Sequence, residues 1–104
     1  MGKLVRDKVP DLIRASGRTP HVKTLRPGQY REALHDKLRE EVDELFAAST
    51  PEAVIDEAAD IVEVLTAIAG DQGASFGSIL DAAQRKRSER GGFGKRLWLE
   101  SIQP

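Results

Sequence analysis

The sequence contains no cysteine, which excludes disulfide bonds and thiolate metal ligands. It has no apolar run approaching the roughly 20 residues of a membrane-spanning helix, and residues 1–6 lack the apolar stretch of a secretion signal. Aromatic residues make up only 5% of the chain, so few rings can stack on nucleic-acid bases. We therefore expect a soluble, cytoplasmic protein with no membrane or nucleic-acid-polymer partner, in which oxygen atoms bind any metal.

Charged residues are abundant, at 32% of the chain, and unevenly distributed although the net charge is only -1. Residues 1–31 carry eight basic and two acidic side chains, residues 36–63 carry two basic and ten acidic, and residues 84–96 carry six basic and one acidic. An acidic middle that holds cations and basic ends that meet an anion would explain this distribution. Ordinary solvated helix faces would explain it equally well.

The length of 104 residues predicts a single domain, residues 1–104, with no repeat or linker. A chain of this size buries wide apolar faces with difficulty on its own, so a homodimer or a higher homo-oligomer is expected. A short helix is predicted from about Asp7, with Pro10 in its first turn and Gly17 at its end, followed by a loop over residues 18–27. A long helix is predicted over residues 28–48.

Thr50 and Pro51 predict the start of the next helix, with Thr50 as its N-cap, running to about Ala69 before Gly70. A further helix is predicted after Ser75. Its apolar side is expected to comprise Phe76, Ile79, Leu80 and Ala83, and Gly91 and Gly92 end it. The tail, residues 93–102, is compatible with either an extended arm or a strand that pairs with residues 4–5.

Acidic residues recur at a spacing of three in the two long helices, as Glu41-x-x-Glu44 and Glu57-x-x-Asp60. A helix turns about 100° per residue, so each pair shares a face, and four carboxylates on adjacent helices can converge on one divalent cation. A single such pair is usually just a solvated face. Here, however, Glu41 and Glu57 fall within the apolar stripes of their helices.

An ionised carboxylate that is buried without a partner costs several kcal/mol. Lys37 or Arg39 can neutralise one acid on the first helix, but residues 51–70 contain no Lys or Arg. Glu57 therefore needs a cation from outside its helix, either a bound Mg²⁺ or Mn²⁺ or a terminal arginine. Mg²⁺ usually retains water molecules and binds substrate phosphates as well as carboxylates, which favours a metal-phosphate site.

The residues around these acids resemble the MazG-like all-α nucleoside triphosphate pyrophosphohydrolase superfamily. The resemblance rests on residues 37–45, KLREEVDEL, and residues 56–64, DEAADIVEV. The flanks, KLVRDKVP at residues 3–10 and RGGF at residues 90–93, are similar to the termini of a short, single-domain branch of predicted house-cleaning pyrophosphatases. The likeness covers nearly the whole chain.

The resemblance implies an all-α helical bundle completed across a homodimer, with short irregular or extended termini. It also implies Mg²⁺-dependent cleavage of the α–β phosphoanhydride of canonical or non-canonical nucleoside triphosphates, with Mn²⁺ as an alternative ion. The implied metal ligands are Glu41, Glu44, Glu57 and Asp60, and Glu40 and Glu44 are the candidates for orienting or deprotonating the attacking water. The implied phosphate-binding residues are Lys86, Arg87, Arg90, Arg6 and Lys8.

Three alternatives remain open from the sequence. The first is a catalytically inert helical module whose acidic patch binds a basic partner, and the second is a nucleotide sensor that keeps the metal site without turnover. The third is phosphoribosyl-ATP pyrophosphohydrolase, which shares the superfamily; no separate motif in this chain selects its substrate.

Overall fold

Two 21-residue helices joined by a three-residue turn form the centre of the computed structural model, which describes residues 2–104. The four helices are α1 (Val9–Ala15), α2 (Pro27–Ala47), α3 (Pro51–Asp71) and α4 (Phe76–Arg90). Residues 2–104 contain no strand, so the predicted all-α class is confirmed. Met1, which belongs to the predicted domain 1–104, lies outside the described residues.

The starts of α2 and α3 follow from proline and side-chain caps. Pro27 is the first residue of α2, and the Gln29 side chain accepts a hydrogen bond of 3.2 Å from the backbone N–H of Arg26. At α3 the Thr50 hydroxyl accepts from the backbone N–H of Ala53 at 3.1 Å, which confirms Thr50 as the N-cap. A proline in the first turn costs no hydrogen bond, because the N–H it lacks has no helical partner there.

Helix α3 ends later than the sequence predicts. Gly70 lies inside the helix, which continues to Asp71. Gly73, with φ of 76°, takes the left-handed conformation that commonly follows a helix end. The Asp71 carboxylate accepts a hydrogen bond from Arg31 of α2 at 2.9 Å, so a contact between the two helices stabilises this last turn.

The outer elements agree with most of their predicted boundaries. Helix α1 has Pro10 in its first turn and is followed by Gly17 at φ of 86°, and Gly91 at φ of 81° follows α4. The Ser75 hydroxyl caps α4 by accepting from the backbone N–H of Ser78 at 3.2 Å. The predicted apolar side of α4 is only partly covered, since Leu80 is 46% exposed.

The tail is an extended arm, and the alternative of a strand paired with residues 4–5 is wrong for the described chain. Residues 96–104 form no helix or strand. Their apolar side chains face solvent, and Trp98 is 87% exposed. A strand needs a partner strand for its backbone hydrogen bonds. Without one, the backbone groups of this short apolar segment bind water instead, and no sheet forms.

The core lies between α2 and α3, which run antiparallel. Its buried apolar residues are Leu34, at 2% exposure, Val64 and Ala69. Helix α4 packs against α3 and makes no contact with α2 in the described residues. The packing of α2 against α3 therefore fixes the relative positions of the side chains on the facing sides of these two helices.

The molecule is open for its length. Its radius of gyration is 18.1 Å, whereas a compact chain of about 100 residues has a radius near 13 Å. Large apolar side chains remain exposed on α3, including Ile55 at 68%. Among the described residues, no helix is both long enough and apolar enough to cross a membrane.

Candidate metal centre

Three of the predicted metal-binding carboxylates meet where α2 and α3 face each other near their connecting turn. Glu41 and Glu44 come from α2 and Glu57 from α3, and one carboxylate oxygen from each lies within 4.8 Å of the others. Mg²⁺ holds oxygens at about 2.1 Å and Ca²⁺ at about 2.3–2.6 Å, so oxygens on opposite sides of one cation are about 4–5 Å apart. The spacing suits a single divalent cation.

Glu41 is the buried charged residue of this centre, at 5% exposure. Its Oε1 lies 3.3 Å from Lys37 Nζ, one helical turn earlier. Its Oε2 is buried and has no hydrogen-bond partner within residues 2–104. The oxygens of a buried carboxylate are normally hydrogen-bonded. Oε2 of Glu41 is therefore available to bind a ligand.

The surroundings raise the pKa of Glu41 above its usual 4.5. Burial is the main cause, and the nearby charges of Glu44 and Asp60 act in the same direction. The hydrogen bond and charge of Lys37 oppose them without cancelling the effect of burial. A cation among these acids would remove the penalty on the ionised form.

Glu57, which is half-buried on α3, also has a carboxylate oxygen without a partner in the described chain. Its Oε2 is buried and lacks a hydrogen-bond partner among the described residues, and α3 contains no Lys or Arg. The sequence predicts that its neutralising cation comes from outside α3, either a metal or a terminal arginine. No ion pair to Glu57 occurs in residues 2–104.

A terminal arginine does reach this site, at Asp60. Arg6 Nη2 lies 2.7 Å from Asp60 Oδ1, and the two side chains are 58% and 42% exposed. Asp60 is not one of the three mutually close carboxylates. Of the four predicted ligands, the structure thus brings three together and pairs the fourth with an arginine.

The remaining predicted residues lie further out. Glu40 is 42% exposed and sits 3.6 Å from Lys37 Nζ, beside the centre. Lys8 is exposed at the start of α1. Lys86, Arg87 and Arg90 are exposed on α4, and none of the three forms an ion pair with the described acids.

Lys37 is the residue at this centre that the predicted phosphate-binding set leaves out. It lies within 4 Å of both Glu40 and Glu41. Its position four residues before Glu41 was the available signal, because residues i and i+4 are neighbours on a helix. Lys37 provides a positive charge at the edge of the acidic cluster.

The donor set suits a hard divalent cation. All three clustered ligands are carboxylates, and two buried oxygens, one on Glu41 and one on Glu57, have no partner in residues 2–104. Carboxylate oxygens are the ligands that Mg²⁺, Mn²⁺ and Ca²⁺ prefer. The residues present therefore fit a bound metal.

Comparison with known proteins gives a family match over most of the chain. The family model described as phosphoribosyl-ATP pyrophosphohydrolase matches residues 11–87, well over half of the chain. An uncharacterized protein from Mycolicibacterium smegmatis is 55% identical over 56 residues, which is 54% of this chain and 57% of that relative. The match thus spans less than two thirds of the relative's length. No solved structure matches.

The matched range contains all four helices except the start of α1 and the end of α4. It includes both acidic pairs. MazG-like pyrophosphohydrolases generally use divalent metals, and the acidic cluster of this chain is of a kind that can bind one. The chain belongs to the phosphoribosyl-ATP pyrophosphohydrolase family of the MazG-like superfamily.

Proposed function

We propose that the chain is a Mg²⁺-dependent nucleoside triphosphate pyrophosphohydrolase. It cleaves the α–β phosphoanhydride of canonical or non-canonical nucleoside triphosphates and releases a nucleoside monophosphate and pyrophosphate. One observation carries the proposal: three carboxylates lie within 4.8 Å of one another, and buried oxygens of Glu41 and Glu57 have no partner in the described chain.

Glu41, Glu44 and Glu57 would hold the cation. Asp60 would join them when Arg6, whose side chain is 58% exposed, leaves it for a phosphate oxygen. When bound, Mg²⁺, or Mn²⁺ in its place, would polarise the phosphoryl group and lower the pKa of a water molecule. The arrangement would then require a base and a source of positive charge.

Glu44 and Glu40 are the candidate bases for the attacking water. Glu44 is exposed and belongs to the cluster, so solvent reaches it. Glu40 is 42% exposed and is held near the centre by Lys37. Either carboxylate would accept the proton of the water and orient its oxygen toward the phosphorus.

Positive charge for the phosphates would come first from Arg6 and Lys37, because both already contact acids of the centre. Arginine binds phosphate oxygens with two parallel N–H groups, and lysine acts as a point charge. Lys8, Lys86, Arg87 and Arg90 would be a second, outer source. Donors positioned in advance stabilise the charge that develops on the leaving pyrophosphate.

A second substrate is favoured by the family that the chain matches, whose description names phosphoribosyl-ATP. Hydrolysis of this compound also releases pyrophosphate, so the same centre would serve. Both substrates are therefore tested together.

The decisive measurement is pyrophosphate release from canonical nucleoside triphosphates, damaged nucleoside triphosphates and phosphoribosyl-ATP, with Mg²⁺, Mn²⁺ or chelator. Glu57→Gln should lower the metal-dependent rate by at least about 100-fold, since even residues that only support a metal ligand contribute about 10–100-fold. The matched control is Asp56→Asn, because Asp56 is exposed on the same helix and its variant should retain wild-type activity.

The other outcomes identify the competing functions. Full activity in Glu57→Gln would disprove the assignment of the site. Metal-dependent nucleotide binding without pyrophosphate release would identify a nucleotide sensor. Absence of both metal binding and release would identify a helical interaction module.

The proposed active form is a homodimer. The small set of buried apolar residues, the radius of gyration of 18.1 Å and the exposure of Ile55 on α3 support it, since a second copy would cover such a face. Molar mass from light scattering should equal twice the 11.4 kDa of one chain. A monomeric mass at micromolar concentration would contradict the proposal.

A further inference from the structure

The N-terminal segment, defined here as residues 3–9, lies over one side of the α2–α3 hairpin. The segment and the hairpin together form a cavity of about 460 Å³. Pockets for small organic ligands typically measure about 300–1,000 Å³. The volume therefore suits a molecule much larger than a metal ion or a single phosphate.

The cavity begins at the metal centre. Glu41 and Asp60 both line it, and Glu41 is also one of the three clustered carboxylates. The Glu41 side chain is 7% exposed, and its Oε2 has no partner within the described residues. The cavity and the metal centre thus share Glu41, a residue with a buried oxygen that has no partner in the described chain.

The cavity continues along the hairpin away from the acids. Tyr30 lines its far part and lies eleven residues before Glu41 in α2, which corresponds to about 16 Å along a helix axis. The apolar part of the wall is formed by Leu4, Val5, Val9, Leu34, Val64 and Ala67. Charged side chains of both helices and of the N-terminal segment, including Lys3 and Asp7, line the rest of it.

Cations also line the cavity. Arg6 is in its wall, with Nη2 2.7 Å from Asp60 Oδ1, and Lys37 is in its wall beside Glu41. Glu63, which is exposed on an outward face of α3, lines the cavity as well. The N-terminal segment converts part of that outward face into the wall of the cavity.

We propose that this cavity binds the nucleoside part of the substrate, with the triphosphate directed to the metal centre and the base packed against Tyr30. The inference rests on the proposed function, because it takes the metal centre as the site of the phosphates. A ligand bound there by its phosphates must continue into an adjoining space, and this cavity adjoins through Glu41 and Asp60. A base can pack against the ring of Tyr30 and the apolar side chains of the wall, and the polar side chains among them can bind the hydroxyl groups of a ribose.

The test fills the cavity without touching the metal ligands. Ala67→Leu adds bulk to the wall, and Ala59→Leu is the matched control, since Ala59 is exposed on the same helix and outside the cavity lining. With Mn²⁺ present, binding of an α,β-methylene nucleoside triphosphate and of inorganic tripolyphosphate is measured by calorimetry. The first probe carries a nucleoside and the second does not.

We expect Ala67→Leu to weaken binding of the methylene analogue at least tenfold while Mn²⁺ and tripolyphosphate bind within twofold of wild type. Ala59→Leu should bind both probes normally. Wild-type affinity of Ala67→Leu for the analogue would overturn the inference, as would an equal loss for both probes. Should Ala67→Leu fail to fold by circular dichroism, Tyr30→Leu replaces it, with the same selective loss expected.

The failure of the inference and that of the proposed function are distinguishable. Selective loss of analogue binding in a protein that releases no pyrophosphate would support the nucleoside cavity and overturn hydrolysis. Pyrophosphate release that Ala67→Leu leaves unchanged, in KM as well as kcat, would support hydrolysis and place the nucleoside elsewhere.

Discussion

The acids between α2 and α3 have an ion-pair partner at one end of the hairpin and lack partners for some of their oxygens at the other. At the open end, Asp71 is 16% exposed and pairs with Arg31 of the other helix at 2.9 Å. At the end near the turn, Glu41 and Glu57 each have a buried oxygen without a partner in residues 2–104. The same two helices therefore supply an internal cation at one end and leave carboxylates unsatisfied at the other.

We propose that this difference separates acids that stabilise the fold from acids that bind a ligand. A carboxylate removed from water costs several kcal/mol unless it is paired, hydrogen-bonded or coordinated. Asp71 avoids that cost through Arg31, so it adds to the packing of the hairpin. Burial raises the pKa of Glu41, so a cation beside its carboxylate, as in the metal centre that we propose, would offset that cost.

Asp60 is intermediate between the two cases. It is paired with Arg6, as Asp71 is with Arg31, but its side chain is 42% exposed and its partner comes from the N-terminal segment. An exposed ion pair contributes about 0–1 kcal/mol. Exchange of Arg6 for another cation at Asp60 therefore costs little, and Asp60 is more accessible to such a cation than Asp71, whose side chain is 16% exposed.

The largest expected effect that separates the two ends is stabilisation by metal. Metal at about 100 times its dissociation constant should stabilise the wild-type fold by about 2.7 kcal/mol, because it binds the native state alone. Thermal melts across a Mg²⁺ or Mn²⁺ series, after treatment with chelator, measure this. Asp71→Asn should retain the increase and Glu57→Gln should lose it. An equal response in all three proteins would indicate that the metal acts outside the acidic cluster.

A smaller effect concerns Glu41 in the metal-free protein. Its pKa is raised above 4.5, chiefly by burial and then by the charges of Glu44 and Asp60, against the lowering effect of Lys37. A carboxyl whose folded pKa is raised stabilises the fold below its unfolded pKa, and this contribution is lost as pH rises through the folded pKa. As the pH rises through the folded pKa of Glu41, the wild type should therefore lose stability relative to Glu41→Gln.

The measurement is urea unfolding of the wild type and Glu41→Gln in chelator between pH 4 and pH 7. The variant should gain stability relative to the wild type as the pH rises from 4 to 7. Its amide oxygen can still accept the hydrogen bond from Lys37. A constant difference across the range, or a difference that changes in the opposite direction, would contradict the raised pKa of Glu41.

Much of this centre was predictable because it depends on local periodicity. Proline and threonine define the start of α3, and the apolar stripe of α2 already places Glu41 among buried residues. The lack of Lys and Arg in α3 predicts that Glu57 needs an outside cation. These features follow from the sequence of one helix at a time, where the 3.6-residue repeat fixes which side chains share a face.

The remaining features depend on segments that are distant in sequence. Arg6 and Asp60 are 54 positions apart, and no repeat relates an irregular segment to a helix. The position of Glu63 in the cavity wall has the same origin, because the path of residues 3–9 determines which face of α3 the N-terminal segment covers. The continuation of α3 past Gly70 likewise depends on Arg31 from another helix, so tertiary contacts override a local stop signal.

The smallest expected effect is at the open end of the hairpin. Asp71→Asn removes the charge that pairs with Arg31, whose side chain is 55% exposed and regains water. The loss in unfolding free energy should be at most about 1 kcal/mol, and pyrophosphate release should remain at the wild-type rate. Urea unfolding and the release assay on the same preparation measure both quantities. A loss of activity comparable to that of Glu57→Gln would mean that the open end also takes part in the reaction, and the distinction between structural and ligand-binding acids in this hairpin would fail.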